Sequence, residues 1–208
     1  QHAEGRTSHL HLEGSGKLDP LTNERLLSGV VQDVTERRRL EGLAHRLTYF
    51  DALTGLPNRA TLRKELSDAL AVAEETGTSL AVLSVGLDGF TRINDTLGRQ
   101  KGDLVLRTVA ERLGQCLRRE AKTRPGGAPR VGNDLVARAG GDEFVAVLPG
   151  LRVAEDAAVV ARRVLAAISQ PLRLEAEELV VSATMGISLY PIDGSSPDQL
   201  IEHADAAR

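Results

Sequence analysis

Hydrophobic side chains recur along this chain in three rhythms, and each predicts an element. Leu40, Leu43, Leu47 and Phe50 are spaced 3, 4 and 3 apart, a short heptad-like seam. The helix that carries it opens at Thr35, a good N-cap, with the charged run Glu36-Arg37-Arg38-Arg39. Helical period resumes at Leu62, Leu66, Leu70 and Val72 and stops at Gly77. Leu80 to Leu87 is near-continuously apolar, as a buried strand is. Helical segments follow near Thr91–Leu97 and Asp103–Arg118. Two strands, Asp134–Ala139 and Phe144–Leu148, are joined tightly through Gly140-Gly141-Asp142-Glu143. A helix fits Ala154–Ser169, strands fit Leu172–Leu174 and Leu179–Leu189, and a last helix begins near Pro197. Helices between strands in this order predict an α/β (α+β) sheet with helices packed on it.

Ahead of residue 35 the only clear element is a strand over Leu26–Val34, behind turn signals at Asp19-Pro20 and Thr22-Asn23. His9 and His11 alternate with Leu10 and Leu12. An edge strand with two solvated imidazoles accounts for them, with a metal site as the sharper alternative. Asp51 to Arg59 is a loop in which Pro57 stops one helix and Asn58 caps the next. Residues 118–133 are basic and rich in Gly and Pro, which predicts a flexible insertion. The organisation expected is residues 1–34 as a remnant, 35–49 as a connector helix and 50–208 as the main domain. For the connector two readings stand: an amphipathic helix packed on its own domain, or a parallel dimeric link between two domains.

Composition narrows the classes. Of 208 residues, 41% are hydrophobic and 26% charged, which excludes a wholly disordered or fibrous chain. A formal charge of −3 gives no general attraction to nucleic acid or anionic lipid, and aromatics at 2% leave no stacking platform for single-stranded nucleic acid. Cys116 alone makes no intrachain disulfide and suits a reducing compartment. The stretch Leu80–Leu87 is too short to span a bilayer, and Gln1-His2-Ala3-Glu4 has no apolar leader character. A cytoplasmic setting without membrane insertion is expected, compatible with an anchored full-length protein. The abrupt ends read as those of an excised piece, the last one inside a helix.

The densest chemistry lies at Gly140-Gly141-Asp142-Glu143. Two glycines supply the positive φ that a tight hairpin requires. Two adjacent carboxylates at a bend repel unless a proton or cation relieves them, and oxygen ligands on a hairpin tip suit Mg²⁺ bridging a phosphate. An ordinary acidic hairpin is the plainer reading of the spacing.

Arg138-Ala139-Gly140-Gly141-Asp142-Glu143-Phe144 resembles the signature of the GGDEF family, the diguanylate cyclases. Other stretches resemble that family in the same order. Asp51-Ala52-Leu53-Thr54-Gly55-Leu56-Pro57-Asn58-Arg59 is similar to its opening motif. Asp88-Gly89-Phe90, Ile93-Asn94-Asp95 and Gly102-Asp103 are similar to its nucleotide-binding segment. Met185-Gly186-Ile187-Ser188 and Ala204-Asp205-Ala206 resemble its late strand and last helix. The likeness covers about residues 50–208. Gly29 to Arg37 resembles the closing strand and exit of a PAS domain, so residues 1–34 would be its C-terminal remnant.

The resemblance implies an adenylyl-cyclase-like fold, with a mostly antiparallel central sheet flanked by helices and an N-terminal connector helix. It implies condensation of two GTP into cyclic di-GMP with loss of pyrophosphate, Mg²⁺ or Mn²⁺ as cofactor, and a homodimer in which two half-sites face each other. Carried over by position, Asp142 and Glu143 would be catalytic and bind metal, with Asp142 near the 3′-hydroxyl and the Leu87 carbonyl reaching the metal. Asn94 and Asp103 would read guanine, and backbone N–H groups of Gly89, Phe90 and Thr91 would face the phosphates.

Several positions depart from the family pattern. Its metal-binding Asp two residues before Asp88 is Gly86 here, and its phosphate-site Lys after the Phe is Thr91. Its His after the glycine of the guanine segment is Arg99. The Arg of its inhibitory product site is Val131, with Arg130 one position off. Its C-terminal Lys and Arg would lie beyond Arg208. Two readings follow: a diguanylate cyclase weakened by Gly86 and Thr91, or a catalytically degenerate GTP-binding regulatory domain controlling a downstream phosphodiesterase domain. A dimerisation module with an empty site is the plain third.

Overall fold

The computed structural model describes residues 9–18, 21, 25–123, 134–151, 153–174 and 177–208. Its elements are β1 (Leu10–Leu18), β2 (Arg25–Asp33), α1 (Thr35–Tyr49), α2 (Arg59–Thr76), β3 (Ser79–Leu87), α3 (Phe90–Leu97), α4 (Arg99–Thr123), β4 (Leu135–Gly140), β5 (Glu143–Leu151), α5 (Ala154–Ile168), β6 (Leu172–Leu174), β7 (Glu177–Leu179), β8 (Ala183–Tyr190) and α6 (Pro197–Ala206). Two compact units result, residues 1–48 and 49–208.

In the first unit, β1 and β2 pair antiparallel, Leu10 opposite Asp33 through Leu18 opposite Arg25. The described side chains of this hairpin are exposed. Thr35 is the first residue of α1, and Asp33 Oδ1 accepts its N–H at 2.8 Å. Leu40 and Leu47 of the seam are exposed.

In the second unit, a four-stranded antiparallel sheet has the order β4-β5-β3-β8. The central strands β3 and β5 are apolar on both faces because helices cover both. Strand alternation sends Ala81, Leu83, Val85 and Leu87 into one core with Val105, Val109 and Leu113 of α4 and Val160, Val164 and Ile168 of α5. Leu80 and Val82 point the other way, into a core with Leu62, Leu66 and Leu70 of α2 and Leu200 of α6. This is the mostly antiparallel, helix-flanked sheet expected from the sequence.

Some boundaries differ from the expected ones. The stretch Leu179–Leu189 is two strands: Glu177–Leu179 closes a small hairpin on β6, and pairing on β3 starts only at Ala183. Helix α4 opens at Arg99, four residues early, because the Gly102 N–H already bonds the Gly98 carbonyl at 3.2 Å. It also runs to Thr123, so the first residues of the expected insertion are helical. The rest of that insertion, with Arg130 and Val131, lies outside the described residues, as does most of the 19–23 turn. Arg112 of α4 donates to the carbonyls of Ile168, Gln170 and Pro171 at 2.6–2.9 Å, giving the end of α5 the cation its orphan carbonyls favour.

Candidate functional site

The site grows from one continuous stretch, β3 into α3 and α4. Gly89, at φ 66°, turns the chain out of the strand and opens α3. A helix start leaves its first N–H groups without intrahelical partners. At Gly89, Phe90 and Thr91 those groups are therefore available to an anion. One turn on, Asn94 is half-buried with its side chain against Gly102, where an added Cβ would meet Asn94 Oδ1 and, at 3.4 Å, Phe90. Gly102 thus permits α3 and α4 to close on each other. Asp103, half-buried, follows it directly, so the two expected guanine readers share one corner.

The acidic hairpin is held from behind. Gly140 and Gly141 take φ of 149° and 52°, as the tight β4–β5 turn requires. Arg138 donates to the Gly141 carbonyl through Nε at 3.1 Å and Nη2 at 2.6 Å. Its Nη1 forks onto both carboxylate oxygens of Asp51, at 3.0 and 3.2 Å. Asp51 also accepts from the Thr54 N–H and hydroxyl at 2.9 and 2.7 Å. Burial alone would raise the Asp51 carboxyl, but these Thr54 and Arg138 bonds hold it below its ordinary value. The Arg138 N–H closes the clamp on the Pro57 carbonyl at 2.9 Å. The opening loop is therefore a brace for the hairpin, a role that the 51–59 motif alone did not disclose.

The phosphate side is different. Gly86 pairs with Glu143 on β5 and with Thr184 on β8. Asp88, two residues on, accepts from Thr184 Oγ1 at 2.8 Å. Above Gly86 lies the Arg208 side chain: a Cβ there would strike its guanidinium. Arg208 Nη2 donates to Glu143 Oε1 at 2.6 Å. This hydrogen bond, with the nearby Glu143, Asp205 and Asp142 charges, raises the Arg208 pKa further above its ordinary value, against the effect of burial. Sequence reading missed Arg208. Its signal was its place just after Ala204-Asp205, two residues past the end of α6, which packs over β3 and β8.

These residues do not fit a divalent cation as arranged. Position 86 offers no side-chain oxygen, and the Arg208 guanidinium takes one oxygen of the Glu143 carboxylate. Among the described residues no three His, Cys, Asp or Glu side chains converge as ligands.

A family model described as diguanylate cyclase, GGDEF domain, matches residues 48–208. The bifunctional diguanylate cyclase/cyclic di-GMP phosphodiesterase MucR of Pseudomonas aeruginosa is 40% identical over 146 residues, 70% of this chain and 19% of MucR. The chain thus spans about a fifth of that curated relative. The GGDEF domain of TpbB from the same organism superposes with a TM-score of 0.67 at 40% identity, covering 76% of this chain and 86% of that one. The coiled coil and GGDEF domain of DgcB from Caulobacter crescentus, solved with cyclic di-GMP, gives 0.68 at 28% identity, covering 84% and 85%.

Proposed function

The chain belongs to the GGDEF diguanylate cyclase family, and from that premise we propose that it is a GTP-binding domain of diguanylate cyclase type with weak turnover. The carrying observation is the contrast within its cleft: the Asn94–Gly102–Asp103 corner is assembled, while Gly86 and the Arg208–Glu143 pair alter the phosphate side.

In this reading Asp103 accepts from guanine N1–H and the 2-amino group, a pattern adenine does not present. Asn94 completes the base contact. The open N–H groups of Gly89, Phe90 and Thr91 receive phosphate oxygens at the positive end of α3. Two such half-sites face each other in a two-fold dimer. The 3′-oxygen of one GTP bonds to the α-phosphorus of the other, the bond to pyrophosphate breaks, and Asp142 takes the hydroxyl proton. Repeating the step in the second half-site closes cyclic di-GMP. The family's cyclases employ a divalent ion for charge on the phosphates, and no step here is assigned to one.

A regulatory role over a downstream phosphodiesterase domain is the second reading. It is favoured by the likeness to a protein that carries both activities. We also assign residues 1–34 to the end of a PAS-like domain and 35–49 to a dimeric connector, supported by the exposed Leu40 and Leu47. Incubation with GTP and Mg²⁺ followed by product analysis tests the function. GTP binding with little cyclic di-GMP is expected. Turnover as fast as in a variant that combines Gly86→Asp, Thr91→Lys and Arg208→Gln refutes the weakened reading, and no GTP binding refutes both.

A further inference from the structure

We propose that the guanidinium of Arg208 is the resident cation of this half-site, holding the place beside Gly86 and Glu143 and letting the domain bind a nucleoside triphosphate without a divalent metal. The proposal rests on the GTP reading above for its ligand, and on side-chain geometry alone for its occupant.

The approach of Arg208 is built into two strands. Gly186 of β8 sits opposite Ser84 of β3. A Cβ on Gly186 would run into the Ala204 carbonyl and lie 2.7 Å from the Arg208 nitrogen, so only glycine lets the end of α6 rest on the sheet. The buried Ser84 hydroxyl donates to Asp205, which pins the same turn. The Arg208 N–H then bonds the Asp205 carbonyl at 3.2 Å. From that anchor the side chain crosses the bare Cα of Gly86, with Cδ at 3.2 Å and Cζ at 3.0 Å from where a Cβ would stand. It ends on Glu143 Oε1 at 2.6 Å. The replacement is therefore paired: the strand lacks a carboxylate where the residue beyond α6 brings a cation. Lacking one negative group and gaining a positive one, the point beside Gly86 and Glu143 has less of the negative charge that would recruit a divalent ion.

A guanidinium suits the substitution. It stays protonated, and its planar fork matches phosphate oxygens as well as a carboxylate. Glu143 uses Nη2, while Nη1 lies over Gly86. Phosphates received by the N–H groups of Gly89 to Thr91 would stand a few residues along the same chain.

The test compares the full chain with Arg208→Gln, which removes the charge at similar length, and Arg208→Lys, which keeps it. Mn²⁺ binding to the nucleotide-free proteins is read by electron paramagnetic resonance. GTP affinity is read by calorimetry in Mg²⁺ and in EDTA. Arg208→Gln should bind Mn²⁺ at least tenfold tighter than wild type, and Arg208→Lys should stay near wild type. Wild-type GTP affinity should change less than threefold between Mg²⁺ and EDTA, whereas Arg208→Gln should lose more than tenfold in EDTA. Equal Mn²⁺ binding in wild type and Arg208→Gln, at whatever strength, overturns the proposal, as does wild-type GTP binding that collapses in EDTA. A chain that binds no GTP in either buffer refutes the GTP reading and the metal-free binding with it. The Mn²⁺ comparison still decides whether Arg208 holds the cation's place.

Discussion

The α3–α4 corner and the open end of β3 lie within eighteen residues of each other, yet they match the family pattern to different degrees. At the corner, Asn94, Gly102 and Asp103 keep the family-like residues, and the glycine allows a contact that any side chain would block. At the strand end, Gly86 and Thr91 replace the residues that the family resemblance leads one to expect, and Arg208 fills the space. Base recognition needs two side chains on two packed helices. In the reading proposed above, phosphate chemistry draws on groups at the ends of β3, β5 and α6 that must meet at one point.

The sharpest way to break this contrast is to restore the second side. Gly86→Asp alone should raise cyclic-di-GMP formation little, because the new carboxylate meets the Arg208 guanidinium and pairs with it. Combined with Arg208→Gln and Thr91→Lys it should raise the initial rate by about 10²-fold or more, the usual worth of electrostatic groups at a reacting phosphate. Full activity in wild type would show that the strand end is not impaired.

The complementary change attacks the corner. Asp103→Ala should weaken GTP by about 10–100-fold, as loss of a charged hydrogen-bond acceptor does, and leave ATP nearly unchanged. Calorimetry reads both. An unchanged GTP affinity would separate the corner from base recognition.

A smaller effect sharpens the comparison from behind the hairpin. Asp51→Asn should cost about 2 kcal/mol at neutral pH, since it leaves Arg138 without its charged partner. The Asp51 pKa is lowered from 3.8 in the folded chain. Its contribution is therefore fully present above that ordinary value and is lost as pH falls through the lowered one. Urea unfolding should show the gap between wild type and Asp51→Asn at pH 7, and the gap should shrink as the pH is taken progressively below 3.8. A gap that grows on acidification would contradict the clamp.

Where apolar rhythm reflects burial, the sequence disclosed the fold: β3, β5, α2 and α5 fall close to their expected ranges because each packs on a two-sided core. Strand β1 was legible only at its start, where His9 and His11 alternate with Leu10 and Leu12 as on an edge strand; its described side chains are exposed, so no apolar rhythm marks the rest. The break between Leu179 and Ala183 was hidden because Val181 is buried although unpaired in the ladder. At the site, the glycine-marked turns and the acidic hairpin were legible, and so was the loss at position 86. Arg208 was not. Its role depends on the end of α6 resting on β8 at Gly186 and on β3 at Ser84, the second a contact between residues 121 positions apart along the chain.

The central claim is that base recognition stands intact beside an altered phosphate side. A paired titration decides it: GTP and ATP into the wild-type chain by calorimetry, with Mg²⁺ present throughout. GTP should bind, with ATP at least tenfold weaker. Equal affinities for the two nucleotides, or no binding of GTP, would contradict the account.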